Sequence, residues 1–177
     1  SDCNIMKSTA LALTLTGFMG LLAPLTAQLE IKDTKGKHLD ILSGDKVLVR
    51  YMYEYDTSTP EKKHATYKPY LHVFDAAGKA PITKGPGGQF THHRGIFIGW
   101  SKLGFNGKSY DRWHMKTGAI VHQKFLEHKT RGNTAAITSV THWHDDAQKP
   151  ILDEERTMTV WTPGEGWARV VVFFKSK

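Results

Sequence analysis

After Leu25 no stretch of this chain places apolar residues at helical spacing between recognisable caps, whereas runs of branched and aromatic residues recur at period two. That pattern leaves little room for helices beyond a single turn and points to strands. Seven runs qualify: 47–53, 70–74, 95–100, 119–128, 134–144, 151–162 and 166–175, each bounded by Gly, Pro, Asp, Asn or Ser. They predict an all-β fold, an antiparallel β-sandwich. The separators 56–68, 75–94 and 101–118 are long for hairpin connections, and loops of that length in a compact domain are where chemistry is to be sought. The last run, Arg169-Val-Val-Val-Phe-Phe-Lys175, reads as a core strand whose partner should follow. The expectation is therefore a single domain over 28–177, a fragment incomplete at its C-terminal side.

Residues 1–27 stand apart from this pattern. Met6-Lys7 precedes an apolar run from Ala10 to Leu22, and Ala23-Pro24-Leu25-Thr26-Ala27 then offers small residues in the manner of a signal-peptidase site. The segment predicts a signal peptide cleaved near Ala27, a start mis-called ahead of Met6, and export to the periplasm or beyond. The single cysteine, Cys3, lies inside that leader, so the exported part has no disulfide and no thiol chemistry.

Charge and composition exclude further classes. The formal net charge of +7 arises from 24 Lys and Arg against 17 Asp and Glu, but the positive residues are scattered and not interleaved with aromatics, which argues against a nucleic-acid platform. No segment after Gln28 has the roughly 20 apolar residues of a membrane span. Five Trp, six Tyr and eight Phe supply enough apolar surface for a folded core.

Ten histidines provide the candidate chemistry. His92-His93-Arg94-Gly95 closes the Gly-rich stretch Lys84-Gly-Pro-Gly-Gly88. In it Arg94 offers a planar fork for carboxylate, phosphate or sugar hydroxyls, or pairs with a structural acid. Asp111-Arg112-Trp113-His114 combines a base or turn acid with an aromatic that either anchors the core or stacks on a sugar. Val121-His122-Gln123 adds a further imidazole and amide. His142 and His144 share one face of a strand, but two histidines do not complete a metal shell.

Taken in order, Lys68-Pro69-Tyr70, Ile82-Thr83-Lys84, His92 to Trp100, Asp111 to His114, Gly118 to His122 and the acidic run Asp153 to Thr157 resemble a secreted bacterial family that carries the label "methane oxygenase PmoA" and has no known function. The resemblance spans about 46–169. It implies a β-sandwich, of a mutarotase-like kind if the protein acts on sugars, in a chain about twice this length of which this is the N-terminal half. Where that family has Asp-His-Pro ahead of His-His-Arg, this chain has Gly88-Gln89-Phe90-Thr91. Methane oxidation is rejected because the membrane enzyme needs several spans.

Three functions follow. In the first, His92 or His93, with His114 and Asp111, moves protons on a carbohydrate-derived substrate oriented by Arg94, Trp113, His122 and Gln123. In the second, the same residues form a noncatalytic glycan-binding module. In the third, a divalent metal is held by some of His92, His93, His114 and His122.

Overall fold

The computed structural model describes residues 28–164 and 167–176; the expected leader lies outside them. Two four-stranded antiparallel meanders dominate. The first runs β1 (Leu29–Thr34), β2 (His38–Ser43), β3 (Lys46–Met52), β4 (Tyr70–Val73), and the second β7 (Ala119–Arg131), β8 (Thr134–His144), β9 (Pro150–Gly164), β10 (Trp167–Ser176). Between them a hairpin of β5 (Leu103–Phe105) and β6 (Lys108–Tyr110) stands by itself. The fold is all-β and sandwich-like, as the alternation predicts. Among the described residues no helix is long and apolar enough to cross a membrane.

The two meanders meet through their inward faces. Leu39 and Ile41 of β2, Val49 and Tyr51 of β3 and Leu71 of β4 pack with Ala135 and Ile137 of β8 and Met158 and Val160 of β9 in one buried cluster. The strict alternation of β8, every second residue from Ala135 to Trp143 being buried, is what a strand with one covered face requires.

Along β8 and β9 the interior changes character. Past Ile137 and Met158 the buried positions become Ser139, Thr141 and Trp143 on one strand and Arg156 and Glu154 on the other. Glu154 accepts from Arg156 Nε at 2.5 Å, from a second guanidinium nitrogen at 3.0 Å and from Trp143 Nε1 at 2.7 Å. Thr141 Oγ1 finds no partner among the described residues, and the Tyr51 and Ser139 hydroxyls lie against each other without a well-directed bond.

Three expectations need correction. Residues 95–100 are not a strand: Ile96 bridges Leu71 in a single pair, Gly95 sits at φ 33°, and the chain then turns toward Arg112, whose N–H donates to Trp100 O. The loop at 56–68 contains α1 (Pro60–Ala65), opened by Thr59, whose Oγ1 accepts from Lys62 N, and by Pro60 in the first turn. Finally, β1 and β2 precede the first run that the alternation marks.

Candidate functional site

The long loops fold back to one end of the first meander, and three buried or caged cations hold them there. Lys84 Nζ donates to the carbonyls of Gly85, Gly87, Phe90 and His93, so the loop from 84 to 93 is wrapped around an ammonium group. Gly87 and Gly88, at φ 99° and 70°, give the backbone the left-handed turn that this wrapping needs. Arg94, 1% exposed, donates to Thr91 O at 2.9 Å, Ala65 O at 2.5 Å and His64 O at 2.7 Å. It thereby caps the carbonyl end of α1 and fastens the histidine loop to it. Its fork is taken up by backbone carbonyls, so the expected ligand-facing guanidinium lies beneath the site as part of its floor.

The third cation is Lys68, which the sequence-based candidates omit. It precedes β4 and is 2% exposed, with Nζ 3.5 Å from the centroid of Phe97, 5.7 Å from that of Trp113, and donating to Trp113 O at 3.2 Å. Burial, reinforced by the charge of Arg94, pulls its pKa down to about 7. A usable signal was the run Tyr67-Lys68-Pro69-Tyr70, in which a charged residue sits among apolar neighbours that are all buried.

Above this floor stand the expected residues. Asp111 Oδ1 accepts from the backbone N–H groups of Trp113 and His114, both at 2.9 Å, and Oδ2 faces His114 Nδ1 at 2.7 Å. Burial alone would raise the Asp111 pKa, but the bonds from the His114 backbone, the His114 ring and the Trp113 backbone hold it below the usual carboxylate range. The ionised carboxylate only accepts, so in neutral His114 the proton is on Nδ1 and the lone pair on Nε2. The His92 ring lies 5.0 Å from His114 and 4.3 Å from His93, and Trp113 lies 6.1 Å from His93 and 4.9 Å from Phe97. Burial first, and then the charges of His93, His114 and Lys68, lower the His92 pKa. His92, His93, His114, Asp111 and Trp113 thus come together from two loops more than fifteen residues apart.

The remaining candidates go elsewhere. His122 packs in the aromatic cluster of Tyr51, Tyr53 and Phe125, with ring centroids 5.9, 4.7 and 4.4 Å away, and burial brings its pKa down to about 4. Gln123 bonds Val121 O at 3.0 Å, at the point where β7 slips register against β8. His142 pairs with Asp153 at 3.4 Å, and the carbonyl of His144 accepts from Arg112 Nε at 2.5 Å. Among the described residues no group of three or more His, Cys, Asp or Glu is arranged to hold a metal ion. The rings of His92, His93 and His114 meet edge to face, His92 lying between the other two.

Arg112 supports the second loop as Arg94 supports the first. It is fully buried, donates to His144 O, Asp111 O, Thr117 O and Asp146, and lies so close over Gly118 that a Cβ there would overlap the guanidinium. Its bonds tie the Asp111–His114 turn to the end of β8.

No curated protein and no solved structure matches this chain. A sequence model does: residues 38–175 match a family described as being of unknown function, DUF6807, a span that begins at β2 and takes in the second meander, the site loops and the cations under them. The chain belongs to that family.

Proposed function

We propose that the chain is an exported protein that takes a carbohydrate-derived ligand at the cluster of His92, His93, Asp111, Trp113 and His114, and that His114 exchanges a proton with it. The observation that carries this reading is the Asp111–His114 pair: a carboxylate meets Nδ1 at 2.7 Å, which leaves the lone pair on Nε2, and the His114 side chain is 45% exposed. Such an arrangement suits general acid-base chemistry on a hydroxyl, with an aromatic ring to stack against a sugar face. The apolar run of 10–22 with the small residues before Gln28 supports export. The resemblance of the ordered sequence motifs to the methane-oxygenase-labelled family, a reading of the sequence alone, supports a secreted sandwich and gives no support to methane chemistry.

The test is a panel of neutral and acidic mono- and oligosaccharides offered to the full chain, with binding read by calorimetry and turnover by product analysis. His114→Gln should lower turnover about 100-fold or more, the size expected for loss of a general acid-base group, while affinity changes little. Binding without turnover in the parent protein would select a noncatalytic glycan-binding module. Absence of saccharide binding would sink the reading.

A further inference from the structure

The two buried arginines away from the histidine loop meet carboxylates, Arg112 that of Asp146 and Arg156 that of Glu154. The buried cations under the histidine loop do not. Lys84, Arg94 and Lys68 are satisfied by backbone carbonyls, and Lys68 also by aromatic faces. Among the described residues none of the three has a carboxylate within ion-pair distance. A carbonyl satisfies an N–H group without cancelling its charge, so the positive potential of Arg94 and Lys84 survives at the site, and Lys68, with its pKa at about 7, adds to it in its protonated form. Asp111, whose charge reaches Lys68, already accepts from two backbone N–H groups and from the ring of His114.

Burial sharpens the imbalance. Arg94 and Lys68 are 1% and 2% exposed, and charges removed from water to that degree cost stability unless something of opposite sign meets them. Three imidazoles, those of His92, His93 and His114, stand together at the loop and add no negative charge. The missing opposite charge has to come from what binds there.

Resting on the carbohydrate reading above, we propose that the ligand is a sugar bearing an oxyanion, either the carboxylate of a uronate or a sulfate ester, drawn by the uncompensated Lys68, Arg94 and Lys84. The oxyanion lies on the histidine side of the site, over the loop that Lys84 and Arg94 hold, while the ring faces Trp113. Neutral sugars of the same shape bind more weakly because they leave the potential unmet.

The experiment is calorimetric titration of the full chain with glucuronate and galacturonate, their methyl esters, glucose 6-sulfate and inorganic sulfate. At least one charged sugar should bind about tenfold tighter than its neutral counterpart, with the advantage shrinking as salt rises. Preference for uronate or for sulfate ester identifies which oxyanion is read. Gln89→Glu, which adds a carboxylate to the same loop without removing the Lys84 cage, should erase most of that advantage while leaving methyl-ester affinity unchanged. Lys84→Met should act in the same direction, with a thermal melt reporting whether the loop still folds. Equal affinity for acid and methyl ester overturns the anion inference and leaves the carbohydrate reading standing. Binding of inorganic sulfate with no sugar overturns the carbohydrate reading, and binding of none of the probes overturns both.

Discussion

Glu154→Ala should cost about 3–5 kcal/mol, the range found when one member of a buried ion pair is removed. Glu154 is 1% exposed and Arg156 3%, so the deletion leaves a guanidinium between two sheets with no water to solvate it. It also orphans the indole N–H of Trp143, a residue with no exposed surface whose ring lies 4.8 Å from that of Trp100. The double change Glu154→Gln with Arg156→Met removes both charges and keeps a carbonyl oxygen for the indole. It should recover at least half of the loss. Urea denaturation of the three chains checks this; a single variant as stable as the parent, or a double variant as weak as the single, would contradict the account. The loss should also reach the site, because the end of β8 that Trp143 anchors supplies the His144 carbonyl on which Arg112 and the Asp111 turn depend.

The second large effect is expected at Gly95, where alanine should cost about 3 kcal/mol or more, since the residue has a positive φ and its Cβ would overlap the Leu71 carbonyl oxygen. That oxygen accepts from Ile96 N at 2.9 Å, Leu71 N donates back to Ile96 O at 2.9 Å, and Gly95 N donates to Lys84 O at 2.7 Å. Forcing a methyl group into this crossing separates the histidine loop from β4. Hydrogen exchange should therefore accelerate first at the amides of Leu71, Gly95 and Ile96. Gly87→Ala is the control: φ is also positive, at 99°, but nothing lies within 4 Å of the added Cβ, so only backbone strain of about 1 kcal/mol is expected. Equal losses at the two positions would show that strain, and not the approach to β4, dominates at Gly95.

How much of this was legible depended on whether residues signal a face or a meeting. The strands β8 and β9 were readable because one side of each is covered, which imprints alternation on the sequence, whereas β3, β4, β7 and β10 showed through their branched and aromatic residues. The first two strands were not, for different reasons: β1 carries Lys32 and Asp33 where a strand reader looks for apolar residues, and β2 buries Asp40, which is kept inside by a bidentate bond to Arg50. At 95–100 the opposite error arises, since Ile96-Phe97-Ile98 has strand composition but only one bridge. Its backbone is diverted by Gly95 and by the Arg112 N–H to Trp100 O bond.

In the site, residue type was legible and destination was not. Asp111, Trp113 and His114 are close in sequence, and their turn follows from an acid accepting from the two N–H groups ahead of it. That His92 and His93 should meet them depends on Arg94, spent on carbonyls, and Arg112, spent on carbonyls and Asp146, partners that no sequence pattern marks. For the same reason Arg94 read as a ligand-facing fork and turned out to be an anchor. His122 illustrates a related ambiguity: on β7 it falls on the inward side, among tyrosines, where burial suppresses its protonation.

The change of lining along β8 divides the protein's tolerance of substitution into two regimes. At the Ile137 and Met158 end, volume is conserved or stability falls, because every methyl group has neighbours. At the Thr141 end, a hydroxyl without a partner already works against folding, so Thr141→Val should be neutral or raise the urea midpoint, whereas Ile137→Thr should lower it by more than about 1 kcal/mol equivalent. A sequence drifting under selection for stability alone would turn the polar end aliphatic. Hydroxyls maintained there across related chains would mean that the inside of the sandwich, and not only its loops, answers to a functional demand.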